Sequence, residues 1–147
     1  MMTTRTATCN DTKKIVDFLK EYHENESNLS DIPFDRGTMT KVIDYYIGMP
    51  KHVILVYDKA GDITGVLAGS IEPFMFNEKR KWSTDLLNVS HSGGIWLLKR
   101  FIEWSKMHKV DRIFMGISTG MARSEALYEA VGLTRVGGFY VLNCSEN

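Results

Sequence analysis

Apolar residues recur along this chain with two different periods, and the change of period divides it into elements. Ile15, Phe18, Leu19 and Tyr22 fall at i, i+3, i+4 and i+7, one face of a helix, behind the capping run Cys9-Asn10-Asp11-Thr12. Met39, Val42, Ile43 and Tyr46 mark a second helix, stopped by Gly48 with Pro50 behind it. A third carries Leu97, Leu98, Phe101 and Trp104 on its buried stripe and turns Lys99, Glu103 and Lys106 outward. Residues 121–131 form the fourth, ending at Gly132, with Ala126, Leu127, Ala130 and Val131 assigned to the core.

Between the helices lie β-rich runs at 4–8, 52–57, 63–71, 82–89, 112–117 and 135–143. The second and third are predicted to pair as a hairpin through the turn at 58–62. Gly65 and Gly69 inside a strand signal a bulge or a close approach to the backbone. Strict alternation over 82–89 puts Asp85, Leu87 and Val89 on one face and Thr84, Leu86 and Asn88 on the other. Residues 112–117 are almost wholly apolar, as for a strand covered on both sides. The helix between the strands at 82–89 and 112–117 predicts a parallel pair with a right-handed crossover.

The junction at 85–106 is the most suggestive stretch. An apolar run passes through Ser90-His91-Ser92-Gly93-Gly94 directly into a helix. A helix start leaves backbone N–H groups without intrahelical acceptors, and the dipole adds partial positive charge, so such a turn suits an anion such as a pyrophosphate. Glycine lets the ligand approach because no Cβ intervenes.

Composition narrows the classes. The 147 residues suit one domain, taken as 1–147, and the apolar content of 44% and charged content of 24% are those of a globular protein. A formal net charge of zero argues against a general nucleic-acid binder, and Lys79-Arg80-Lys81 reads as a solvated loop. Cys9 and Cys144 are too far apart in sequence for a metal site or disulfide framework, which predicts free, non-catalytic thiols. No apolar run follows the first residues, and no segment approaches the ~20 apolar residues of a membrane span, so a cytoplasmic location without membrane partners is expected.

Ala126-Leu127-Tyr128-Glu129-Ala130-Val131-Gly132-Leu133 resembles the late motif A-L-Y-E-K-L-G-F of the GNAT superfamily, the acyl-CoA-dependent N-acetyltransferases. A strand follows there, as Arg135-Val136-Gly137-Gly138-Phe139-Tyr140 does here. The element order is similar from about residue 4 to 143, and Pro33-Phe34-Asp35 with the Gly93-Gly94 turn resembles short bacterial and bacteriophage-encoded members. The resemblance implies an α+β fold in α/β/α layers. Its sheet would be mixed and mostly antiparallel, with about six strands, a splayed parallel pair and four helices.

It also implies acetyl-CoA as co-substrate, no metal, and direct transfer of the acetyl group to a primary amine, on a small molecule or a protein. A homodimer is an allowed state. The alternative is a catalytically silent module of the same fold that binds CoA or a protein partner. The family's pyrophosphate loop reads R/Q-x-x-G-x-G/A; here Val89 stands at its first position, Ser92 at the first glycine and Gly94 at the last. Met121 stands where the family often has Asn.

Carried over, the backbone of Leu87, Asn88 and Val89 would hold the pantetheine arm. Ser92, Gly93, Gly94 and Ile95 would hold the pyrophosphate, and Thr119 completes the cofactor set. Tyr128 matches the tyrosine that protonates the leaving thiolate. Asp85 and Glu72 are the candidates for general base, beside a relay through water, and His91 is placed at phosphate or solvent. The acidic loop with Glu24, Glu26, Asp31 and Asp35 would suit a cationic amine, and Tyr140 and Phe76 are candidates to line its pocket.

Overall fold

The computed structural model describes residues 2–116, 122–138 and 140–144. Five strands form one sheet in the order β1-β2-β3-β4-β5: β1 (Met2–Thr6), β2 (His52–Lys59), β3 (Asp62–Phe74), β4 (Asn77–Ser90) and β5 (Arg112–Phe114). The first four pair antiparallel, and β4 pairs β5 parallel. Among the described residues four α-helices accompany them: α1 (Thr12–Asn25), α2 (Arg36–Gly48), α3 (Gly94–Met107) and α4 (Ala122–Ala130).

The alternation of β2 sorts the helices into two layers. Ile54 and Val56 pack with Ile15, Val16 and Leu19 of α1 and Ile43 of α2. Val53, Leu55 and Tyr57 pack on the opposite face with Leu97 and Phe101 of α3. The helix–sheet–helix layering is thus a direct product of period two meeting period 3.6. In α3 the buried set is Leu97, Leu98, Phe101 and Ser105. Trp104 stacks on Phe101 at a ring distance of 5.6 Å.

The glycines of β3 mark both a bulge and a close approach. A Cβ at Gly69 would lie 2.4 Å from the Phe101 ring, and one at Gly65 would lie 2.8 Å from Leu97. They let α3 sit down on the sheet. At the same place the β3–β4 register slips: Ala68 faces Leu87 but Gly69 faces Asp85, so Leu86 is an extra residue in β4.

Several expectations are corrected. The bulge inverts the alternation, so Asp85 does not share a face with Leu87 and Val89. Residues 75 and 76 alone separate β3 from β4, replacing the loop expected before residue 82. Phe114 is 39% exposed, so β5 is not covered on both sides. Ala126 and Ala130 are exposed, because α4 rests on the molecule through Tyr128, two residues from each and so on a different face of the helix. A sixth strand at 135–143 is not formed by its described residues. Arg135 there turns back to donate to the Gly137 carbonyl at 3.2 Å and to Glu125 at 2.7 Å, closing a local turn instead. Among the described residues no helix is long and apolar enough to cross a membrane.

Candidate active site

The parallel ladder between β4 and β5 is short. It runs through Trp82–Arg112, Ser83–Ile113 and Thr84–Phe114, and then stops. The bulge at Leu86 follows at once, so β4 bends away where pairing with β5 ends. Beyond Thr84, β4 keeps β3 on one side, and among the described residues no strand pairs with it on the other.

Three side chains converge at this fork. Ser83 lies on the α3 face, its hydroxyl donating to Ser105 at 2.7 Å, and Asp85 keeps that parity. After the bulge, Asn88 takes the same face. Asp85 Oδ1 accepts the Gly116 amide at 3.0 Å. Tyr128 donates its hydroxyl proton to the Gly116 carbonyl at 2.7 Å and accepts from Asn88 Nδ2 at 3.2 Å. One peptide-bonded residue past β5 is therefore gripped from β4 and from α4 together. A small pocket lined by Asn88, Ser90, Gly94, Leu98, Ser124, Leu127 and Tyr128 runs from this cluster to the start of α3.

Burial raises the pKa of Tyr128 above the usual phenol value; the Asn88 bond opposes the shift and the nearby Asp85 charge adds to it. Burial also raises the Asp85 carboxyl, against the lowering effect of the Gly116 amide. Both directions follow from the cost of placing charge where water is scarce.

The turn into α3 has the geometry of an anion site in part. Gly93 is the N-cap, at φ +82°, and no side chain caps the helix. A Cβ there would lie 2.1 Å from the Tyr57 ring, so glycine is needed for both conformation and space. The first-turn amides of α3 have no intrahelical acceptors, and its macrodipole points its positive end into the turn. A Cβ at Gly94 would meet Ser90 Oγ at 2.7 Å, so the floor of this cradle is open only because residue 94 is glycine.

Ser92 departs from its expected role. Its amide points at the Thr64 carbonyl at 3.4 Å, beside that of His91 at 2.8 Å, and its hydroxyl donates to Thr64 Oγ1 at 2.8 Å. These groups pin the loop to β3. His91 likewise faces neither phosphate nor open solvent alone: it contacts Glu26 and sits edge-on to Phe18 at 5.3 Å.

Leu87 and Val89 pack into the core beneath α1 and α2, leaving only their backbone for a ligand, while Asn88 reaches Tyr128. Ile95 lies in the first turn of α3. Thr119 lies outside the described residues. Glu72, opposite Trp82 in the β3–β4 ladder, has the parity of Ala68 and therefore occupies the α1/α2 face, across the sheet from Asp85 and Tyr128.

The acidic loop is less available than its composition suggests. Glu24 pairs with Lys20 at 2.7 Å, Glu26 with His91, and Asp35 caps α2 through the Thr38 amide at 2.8 Å. Tyr140 is fully exposed, in a stretch without regular structure, whereas Phe76 stands at the tip of the β3–β4 hairpin. Cys9 and Cys144 are free and exposed. Ser90, Ser124 and Leu127 join the pocket without having been foreseen. The one available signal was the spacing of Ser124 and Tyr128, four apart on one helix face.

No family model matches the chain, and neither does any curated protein sequence. Solved structures do match over nearly its whole length. A transcriptional regulator from Bacillus halodurans superposes with a TM-score of 0.79 at 16% identity, covering 97% of this chain and 99% of that one. Glucosamine-6-phosphate N-acetyltransferase from Arabidopsis thaliana gives 0.76 at 14% identity and 99% coverage of both chains. A protein from Clostridium acetobutylicum, described as a predicted acetyltransferase and solved with acetyl-CoA, gives 0.72 at 17%, covering 97% and 96%.

Proposed function

We propose that this chain, whose fold is that of the GNAT acetyltransferases, moves an acetyl group from acetyl-CoA to a primary amine by direct attack. The observation that carries the reading is the position of Tyr128. Its hydroxyl stands at the fork between β4 and β5, at one end of a pocket whose other end is the uncapped start of α3.

The residues fit the co-substrate. Amides of Gly93, Gly94 and Ile95, at the uncapped start of α3, would receive a pyrophosphate over a floor that a side chain at position 94 would fill. The edge of β4 past Thr84, unpaired among the described residues, would offer backbone donors and acceptors at Leu87, Asn88 and Val89 to an amide-bearing arm. When bound, acetyl-CoA supplies the thioester carbonyl that the amine attacks.

The proton accounting is simple. A C–N bond forms and the C–S bond breaks; the amine loses one proton and the departing sulfur gains one. Tyr128 gives its proton to the sulfur, which requires its hydroxyl to rotate away from the Gly116 carbonyl. Burial keeps that phenol protonated at neutral pH. Asp85 holds the Gly116 amide and so fixes the carbonyl that orients Tyr128, a positioning role. The amine's proton leaves through water.

A silent CoA-binding module is the second reading, favoured by one observation: the His91 and Ser92 amides are turned to Thr64, which leaves fewer donors for phosphate. Calorimetry with acetyl-CoA, followed by thiol release on an amine panel, separates them. Binding with thiol release supports the transferase; binding without release on any amine supports the module; no binding overturns both.

A further inference from the structure

The core beneath α1 and α2 draws on Ile54, Val56, Val66 and Ala68, with Ile63, Leu87 and Val89 at its margin; none of it comes from β5 or from residues 74–84. Among the described residues nothing packs over that half of the sheet face, and it is aromatic. Trp82 meets Phe114 edge-on with ring centroids 5.4 Å apart, and Phe74 bridges Trp82 at 6.4 Å and Phe76 at 5.3 Å. Phe76 is 84% exposed and Phe114 39%. Four rings in contact on an open sheet face form a shelf with no partner in the chain's described residues.

Two features say what it takes. Glu72 is the direct cross-strand neighbour of Trp82, so a carboxylate borders the rings. The basic residues of the same face are Arg80, whose Nε donates to Asp111 at 2.7 Å, and Arg112, the β5 neighbour of Trp82, which donates to the Asp111 carbonyl at 2.9 Å and whose charge also falls on the Asp111 carboxylate. The shelf also ends at the fork: Phe114 and Thr84 are the last pair before β4 and β5 separate. A thioester in that gap would present its sulfur side to Tyr128 and its open side to the rings.

We propose that Trp82, Phe114, Phe74 and Phe76, with Glu72, form the acceptor subsite, and that the acceptor is a primary amine carried on an aromatic or similarly flat apolar group. This rests on the acetyl-transfer reading above. Glu72 pairs with the ammonium as it docks, the rings hold the flat group and contribute cation–π attraction, and the deprotonated amine then attacks across the fork.

The test uses the whole chain with saturating acetyl-CoA and two amines of similar reach, 2-phenylethylamine and n-butylamine. We expect kcat/KM for 2-phenylethylamine to be about tenfold higher or more, the worth of one aromatic contact of ~1.4 kcal/mol. Phe114→Ser should remove that preference while leaving the acetyl-CoA Kd unchanged. Glu72→Gln, on an open face and isosteric, should raise KM for both amines about tenfold, the scale of one charge-assisted contact. Equal use of both amines, or a preference unaffected by Phe114→Ser, overturns the subsite.

Saturation-transfer NMR with 2-phenylethylammonium on the free protein reads the shelf separately from catalysis. Transfer that disappears in Phe114→Ser supports the shelf even if acetyl-CoA does not bind, in which case the transferase reading alone has failed. No transfer overturns the shelf. A dimer that dissociates in Phe114→Ser by sedimentation also overturns it, because the rings would then be a self-contact.

Discussion

At the scale of single residues, Tyr128 and Asp85 differ in what their protons do. The Tyr128 hydroxyl already has a donor in Asn88 and an acceptor in Gly116, so its ring and its hydrogen bonds are separable. Tyr128→Phe removes only the hydroxyl; kcat should fall about 10²-fold, the lower range for a general acid, with the acetyl-CoA Kd little changed. A lowered Tm with near-normal kcat would make Tyr128 a packing residue only. Asp85 gives a pH signature. Its folded pKa is raised by burial, so its favourable contribution is complete below the unfolded value of ~3.9 and is lost as pH rises through the folded value. Asp85→Asn keeps the acceptor for the Gly116 amide but cannot ionise. Its Tm should match the parent near pH 4 and exceed it at neutral pH. An equal difference at both values would mean that Asp85 is not desolvated when charged.

At the scale of elements, the bulge in β4 decides what could be read from the chain. Helix positions were legible because Ile15, Leu19, Ile43, Leu97 and Phe101 obey a 3.6 period and all are buried. Strand pairing was legible for the same kind of reason in β2 and β3. The face of Asp85 was not, because Leu86 looks like any strand residue, and only a partner strand reveals it as an insertion. Gly69 carried the hint, and it doubles as the seat of Phe101. Gly69→Ala should therefore cost about 1–3 kcal/mol by overpacking, seen as a lowered midpoint in urea at unchanged slope. The site shows the same limit. Tyr128 and Gly94 came from a motif, whereas Ser90 and Ser124 line the pocket only through how α3 and α4 are placed.

A second element-scale device joins β1, the 3-10 turn at Cys9–Asp11 and β2. Arg5 bonds both oxygens of Asp11, at 2.8 and 2.9 Å, and also Asp58 at 3.0 Å. The Arg5 bond, with help from Thr8, holds the Asp11 carboxyl down at about 2. The sign is opposite to that of Asp85: this stabilisation is present above the unfolded value of ~3.9 and disappears as pH falls through the folded one. Asp11→Asn should lower Tm at neutral pH and converge on the parent near pH 2. A difference that persists there would assign the loss to packing instead of charge.

At the scale of the whole molecule, the sheet separates two tasks. The α3/α4 face carries the turn into α3 and Tyr128, and the α1/α2 face carries the aromatic half. A ligand bound at the first should stabilise the entire fold by linkage, by about 2.7 kcal/mol at a hundredfold excess over Kd. For a chain of 147 residues that is a rise in Tm of roughly 5–10 °C. Gly94→Glu tests whether the turn is the source. Its Cβ would press on the Ser90 hydroxyl, which can rotate, so the free protein should lose little stability. Its carboxylate, however, brings charge of the same sign as a pyrophosphate into the cradle. The parent should therefore show Tm climbing with the logarithm of acetyl-CoA concentration, and Gly94→Glu should show a flat line from a similar starting point. The slope carries the argument, because a variant that is merely destabilised starts lower and still climbs. A climbing line in Gly94→Glu, parallel to the parent's, would place the pyrophosphate somewhere other than the start of α3.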